Sequence, residues 1–431
     1  MNSNKNKYIN RSILIMKKHI RFTAALLALG LCVSTAVSQI PVSATEETAA
    51  DTSDQVQTAD PSIVTTNGIA GWPQATDISS TAAVVMETST NTVLYSKNAD
   101  QALYPASAVK IMTCLLALEN SSLDDQVTMT ATGVSGVTDG GANISAQLDE
   151  VFTMEQCLYA IMVASANDIA LQVAEHISGS VDAFVAAMNA RAQELGCTNT
   201  VFTNPTGLPD ENQHITAHDM ALIMEAAMAN DTFRTIAATT SYTIPATNVS
   251  GGDRVLTNNF TMINNTSDGY YEACIGGKEG YTQASGNNIK LVCVVLNGAS
   301  GATDDEAIAL LNYGFDNFAP LTLPDDDFNR LSGGTVIVPN GAAADSLTTE
   351  DTASDGQIQR QYYFGGTPVG TAILEDVQQE KDTAAETGTK NMKAAQEFSS
   401  SRTYAPYYII GAIGAAFLLF FLFLMIHVIK S

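Results

Sequence analysis

Ser107 and Lys110 stand three apart in the stretch Tyr104-Pro105-Ala106-Ser107-Ala108-Val109-Lys110-Ile111-Met112-Thr113-Cys114-Leu115-Leu116-Ala117-Leu118. A serine hydroxyl becomes a nucleophile at neutral pH only when a base takes its proton, and a desolvated lysine amine is able to serve as that base. Pro105 suits a first helical turn, and the residues after Lys110 are almost wholly apolar. The stretch therefore predicts the start of a buried helix whose one face carries both side chains. Alone, the spacing says little. At ordinary Ser and Lys frequencies of roughly 6–7% each, a chain this long carries one or two such pairs by chance, and a helix start with an exposed lysine is the plain alternative.

Two further polar signals follow. Ser165-Ala166-Asn167 lies between two apolar helical stretches. There a hydroxyl and a carboxamide at a helix junction either face a cleft or, with Asp168 three after Ser165, form a capping box. Gly276-Gly277-Lys278-Glu279-Gly280-Tyr281-Thr282 precedes an apolar strand. It reads either as a hairpin with an exposed charge or as a strand that a peptide approaches closely, with Lys278 supplying positive charge to a carboxylate. His214 and His218 stand four apart, but the first precedes the helix and no acidic residue occupies the place of a metalloprotease base. No metal is expected, and no phosphate-cradling glycine loop opens a helix.

The order Ser-x-x-Lys, Ser-x-Asn, Lys-x-Gly changes the weight of each signal. With Tyr104-Pro105-Ala106-Ser107, Asn167-Asp168, Met188-Asn189, Leu195-Gly196-Cys197-Thr198-Asn199-Thr200, Phe202-Thr203-Asn204-Pro205-Thr206-Gly207-Leu208, and Gly280-Tyr281-Thr282 ahead of Gly286, the chain resembles the D-alanyl-D-alanine carboxypeptidases. These are low-molecular-mass penicillin-binding proteins with the serine β-lactamase-like fold. The likeness spans roughly Trp72 to Phe318 and, more weakly, the segment after it. The resemblance implies that Ser107 is the nucleophile, Lys110 its base and Ser165 a proton relay. It makes Asn167 a ligand of the substrate backbone, Lys278 an electrostatic anchor, and Gly280 and Tyr281 part of the substrate-binding strand. The backbone N–H groups of Ser107 and Tyr281 would form the oxyanion hole. The implied reaction forms an acyl-enzyme at the penultimate D-alanine of a peptidoglycan stem peptide, expels the last D-alanine and hydrolyses the ester, and β-lactams acylate the same serine. No cofactor is implied.

One residue departs from the pattern. Glu279 stands where the family usually has Thr or Ser, whose hydroxyl helps hold the terminal carboxylate of the substrate. A glutamate there points away, is protonated, pairs with Lys278, or repels that carboxylate. The alternatives to a carboxypeptidase are a catalytically weakened or respecified wall-binding homologue, and a β-lactamase or endopeptidase of the same fold. Ala166 in place of the commoner glycine is a smaller change.

The elements that must position these groups follow from the rest of the chain. Of 431 residues, 45% are hydrophobic and 15% charged, which describes a globular protein with a sizeable core. The net charge is −25, and six of the 20 Lys and Arg precede Thr45, where no acidic residue occurs. So acidic a body repels nucleic acid, which is excluded as a partner. Residues 1–44 read as a signal peptide, with Lys17, Lys18 and Arg21 before an apolar run and Val42-Ser43-Ala44 as its cleavage site. Residues 45–68 read as a flexible leader. Residues 69–319 predict a serine peptidase domain of the α+β class, an antiparallel sheet with a helical subdomain. Residues 320–375 follow as a small all-β domain and 376–403 as a stalk. Residues 404–431, with an uncharged apolar run from Tyr407 to Ile429, read as a C-terminal transmembrane helix. The expected location is the cell membrane, crossed once, with the catalytic domain extracytoplasmic. Beyond Cys32 the five cysteines are widely spaced and odd in number; they are expected to be mostly buried free thiols, with one bridged pair left open.

Overall fold

A computed structural model describes residues 64–138, 141–299, 302–324, 329–354 and 356–375. The expected signal peptide, most of the leader, the stalk (376–403) and the transmembrane anchor (404–431) lie outside the described residues. Among those described, no helix is long and apolar enough to cross a membrane.

Ala82–Glu87 (β1) is buried at every position. Such a run cannot be an edge strand with one wet face, and it occupies the sheet interior between Thr92–Lys97 (β2) and a later strand. A helix follows, Val109–Asn120 (α1), whose residues from Val109 to Ala117 are all buried. Gln126–Thr128 (β3), Ala131–Thr138 (α2) and Val151–Thr153 (β4) lead into the helical subdomain of Met154–Val163 (α3), Asn167–Ser178 (α4), Val181–Glu194 (α5), Ala217–Met228 (α6) and Asp231–Ala237 (α7). The hairpin Ser241–Ile244 (β5) and Arg254–Thr257 (β6) returns the chain to the main sheet through Cys274–Lys278 (β7), Tyr281–Gly286 (β8) and Ile289–Leu296 (β9). Thr303–Asn317 (α8) closes this body.

The main sheet has the order β2-β1-β9-β8-β7, each pair antiparallel. Alternation sorts its side chains into two cores. Ala82, Val84, Met86, Val292 and Val294 face the helical subdomain, whereas Ala83, Val85, Leu291 and Cys293 face α8. A helix covered on every side, as α1 is from Val109 to Ala117, needs an apolar sequence all round, and that stretch has one apart from Lys110 and Thr113.

The small β domain begins at Phe318–Thr322 (β10), which pairs with Thr335–Pro339 (β12). Asn329–Gly333 (β11), Leu347–Ser354 (β13), Gln357–Phe364 (β14) and Thr367–Glu375 (β15) form a second antiparallel sheet in the order β11-β15-β14-β13. The two bodies meet at Trp72. Its indole packs on Phe318 and Phe364, with ring centroids 5.0 and 6.0 Å away, and its Nε1 donates to the Leu94 carbonyl at 2.9 Å.

Several elements differ from expectation. The leader expected over 45–68 ends sooner: Val64 is buried and bridges Lys97, and Thr65–Gly68 form a 3-10 turn against β2. The segment 121–150, rich in Gly, Thr and Asp, contains the helix α2. Gly136 makes that possible, because a Cβ there would come within 2.8 Å of the Asp168 backbone. Strand β13 went unrecognised because its Thr-Thr-Glu-Asp-Thr run is exposed and carries no apolar alternation. All five cysteines among the described residues are free thiols.

Candidate active site

Ser107 sits in a 3-10 turn, Ala106–Ala108, that runs directly into α1. The turn is backbone-strained: Ala106 has φ +48°, a left-handed conformation that costs an alanine roughly 1–2 kcal/mol. Contacts from the segment 204–208 hold it there. Gly207 (φ +81°) lies so close that a Cβ would fall 1.8 Å from the Ala106 carbonyl oxygen and 3.0 Å from the Ser107 nitrogen. The Tyr104 hydroxyl donates to the Gly207 carbonyl at 2.6 Å. The Asn204 side chain ties the segment together by accepting from Thr206 N, Thr206 Oγ1 and Gly207 N at 2.8–3.1 Å. Sequence reasoning noticed this run only as part of a likeness; its job of bracing the serine turn depends on contacts across about 100 residues of chain.

Lys110, one turn into the helix, is 2% exposed, and its ammonium donates to the Thr206 carbonyl. The exposed-lysine reading is thereby excluded. Burial, with the Lys278 charge as a second cause, lowers its pKa to about 7 from 10.5. A lysine in this state is neutral about half the time at neutral pH and can accept a proton.

Ser165 lies between α3 and α4 with φ +55°. It does not cap the helix: the N-cap is Ala166, without a side-chain hydrogen bond. The carboxylate of Asp168 instead accepts from the backbone N–H groups of Ile144, Ala146 and Ile169 at 3.0–3.3 Å, and the Asn167 N–H donates to the Ala142 carbonyl at 2.8 Å. These bonds fasten the loop at 141–146 across the start of α4, leaving the Ser165 hydroxyl uncommitted among the described residues. Asn167 is buried at the first position of α4. The capping box predicted as the plain alternative is absent because the positive φ of Ser165 is not the extended geometry of an N-cap.

Lys278 ends β7 and pairs in register with Tyr281, the first residue of β8, so Glu279 and Gly280 are the two residues of the turn. Gly280 supplies the left-handed conformation, φ +80°. Lys278 is 6% exposed, and burial lowers its pKa. Among the described residues it has no ion pair or hydrogen bond through its ammonium. Glu279 is exposed and does not pair with it.

Five of the predicted residues, Ser107, Ser165, Lys278, Gly280 and Tyr281, line two spaces, and Asn167 lines neither. A cleft of ≈ 460 Å³ is lined by Ser107, Gly280 and Tyr281 together with Tyr104, Glu279 and Asn297. A crevice of ≈ 30 Å³ is lined by Ser165 and Lys278, with Asn258, Asn259 and Phe260. Glu279 belongs to the walls of both. Lys110 lies beneath them in the core, within electrostatic reach of Lys278. His214 and His218 contact the Asn212 carbonyl and Asp100 instead.

A serine in a strained turn, three residues before a buried, largely desolvated lysine and on an antiparallel sheet faced by helices, is the arrangement that a serine hydrolase of the penicillin-binding-protein fold would use. The sequence profile of the peptidase S11 family, D-alanyl-D-alanine carboxypeptidase, matches residues 70–299, and the chain belongs to that family of serine-type hydrolases. D-alanyl-D-alanine carboxypeptidase DacF of Bacillus subtilis is 42% identical over 146 residues, 33% of this chain and 37% of that protein. DacB2 of Mycobacterium tuberculosis is 32% identical over 250 residues, 54% of this chain and 81% of that one. Penicillin binding protein 5 from Haemophilus influenzae shares the fold, with a TM-score of 0.58 at 24% identity over 70% of this chain and 98% of that one.

Proposed function

We propose that the chain is a serine-type D-alanyl-D-alanine carboxypeptidase acting on peptidoglycan stem peptides through an acyl-enzyme, and that β-lactams acylate it at Ser107. The observation that carries the reading is Lys110: a buried amine with a pKa of about 7, three residues from a serine held in strained backbone at a cleft. In this reading neutral Lys110 takes the Ser107 proton as Oγ attacks the carbonyl carbon. The oxyanion accepts hydrogen bonds from the N–H groups of Ser107 and Tyr281. The C–N bond breaks as a proton reaches the leaving nitrogen through Ser165, with Asn167 and Lys278 holding the peptide. Water then cleaves the ester, Lys110 again accepting a proton, and the free serine returns.

The apolar run from Tyr407 to Ile429 and the basic and apolar N-terminal segment support export and a single membrane crossing, with the peptidase body extracytoplasmic.

Incubation of the purified protein with a fluorescent penicillin is expected to give one covalent adduct per chain, lost in Ser107→Ala. An acyl-D-alanyl-D-alanine peptide is expected to release D-alanine in a Ser107-dependent way. An unlabelled wild-type chain after prolonged exposure overturns the acyl-enzyme reading.

A further inference from the structure

The wall beside the serine carries the wrong charge for a substrate that ends in a carboxylate. Among the described residues lining the Ser107 cleft, Glu279 is the one charged side chain. The cation that would attract a carboxylate, Lys278, is buried behind it on the narrower crevice with Ser165. That crevice is small, ≈ 30 Å³, with room for a proton-relaying water.

Position in the turn makes this unavoidable. Glu279 lies between Lys278 and Tyr281, which pair across the hairpin, and only Gly280 separates it from Tyr281. A carbonyl held beside Ser107 and Tyr281 places the next residue of the substrate about 3.8 Å further along. A free carboxylate on that residue therefore meets the same stretch of wall. Like charges about 4 Å apart weaken binding by a factor between roughly fivefold in open water and a thousandfold in a partly desolvated cleft.

We infer that Glu279 is a specificity-determining residue that slows the carboxypeptidase reaction at free D-alanine ends and favours, at the same serine, D-alanyl amides whose leaving amine bears no carboxylate. Two sources share that chemistry: an isopeptide from D-alanine to a basic side chain, as in a cross-link, and a D-alanyl-D-alanine end capped as its amide. The inference rests on the acyl-enzyme reading of Ser107 and names the leaving group it accepts. The chemistry is hydrolysis in each case: the C–N bond breaks, the amine leaves with a proton, and water supplies hydroxyl to the acyl carbon.

The test compares three synthetic peptides that share one acyl part, using the full chain and initial rates. One ends in D-alanine with a free carboxylate, one in D-alaninamide, and one in lysinamide joined through its side-chain amine. The wild type is expected to cleave both carboxylate-free peptides at least roughly fivefold faster in kcat/KM than the free acid. Raising salt should narrow the gap, because Glu279 is exposed. Glu279→Gln, matched in size, should bring the ratio close to one by accelerating the free acid, and Glu279→Ala should do the same. A wild type that prefers the free acid, or a ratio unchanged in Glu279→Gln, overturns the inference. The relative rates of the lysinamide and D-alaninamide peptides tell the two sources apart. Penicillin labelling separates the levels: adduct formation with no discrimination refutes only the role of Glu279, whereas no adduct in either wild type or Glu279→Gln removes the acyl-enzyme reading and this inference together.

Discussion

Replacing Lys110 with methionine is expected to abolish acylation and at the same time make the protein more stable at neutral pH. The ordinary pKa of 10.5 falls to about 7 in the folded state. At about 1.36 kcal/mol per pH unit, holding this ammonium out of water costs the fold about 4–5 kcal/mol. Since the folded-state value is the lower one, the unfolded chain binds the extra proton between pH 7 and 10.5. The penalty is complete below about 7 and disappears as the pH rises to 10.5. Methionine, similar in length and uncharged, removes it. The Thr206 carbonyl then loses its donor, which returns about 1–3 kcal/mol of destabilisation. The balance is a gain of about 2–3 kcal/mol near pH 7 that changes sign between about pH 8 and 10, and by pH 10.5 little but the lost hydrogen bond remains. Chemical denaturation of both proteins across that range reads the difference, and titrations elsewhere cancel except that of Lys278, whose charge Lys110 feels. A variant less stable than wild type near pH 7, or a difference that does not move with pH, would refute the claim that Lys110 is held neutral by burial.

Two other perturbations test the scaffold. Gly207→Ala forces a Cβ into the Ala106 carbonyl at a left-handed position; it should cost about 1–3 kcal/mol in thermal stability and slow penicillin labelling by roughly a hundredfold through displacement of the serine turn. Unchanged labelling would show that the segment 204–208 does not hold the nucleophile. Arg254→Met leaves Glu150, which is fully buried and accepts from both guanidinium ends at 2.7 and 2.9 Å, without its cation. A loss of about 3–5 kcal/mol by denaturation is expected, and a change below 1 kcal/mol would mean that Thr247 and Gln147 suffice.

The site was legible where chemistry is written locally. Ser107, Lys110, Ser165 and Lys278 stand out by type, spacing and order, and the strands β1 and β9 are apolar apart from Glu87 and Lys290. What could not be read depends on distant approach. The decisive choice for Ser165, between helix cap and cleft residue, turned on a backbone angle, φ +55°, that a sequence of residue types does not show. The brace on Ser107 arises from Gly207 meeting Ala106 across the fold. Helix α2 has weak intrinsic propensity, with two glycines and two β-branched threonines in eight residues, and forms because α4 accepts it closely. Glu279 was recognised as a departure, but its place at the apex of a two-residue turn, shared by two spaces, required the strand register.

Trp72 is the single tryptophan of the 431-residue chain, and it sits at the seam between the peptidase sheet and the small β domain. Nature has thus put one intrinsic fluorophore at the joint of the two bodies, 4% exposed and flanked by Phe318 and Phe364. Its emission reports on the packing of that seam, which can therefore be followed optically, without a label, while a penicillin is added.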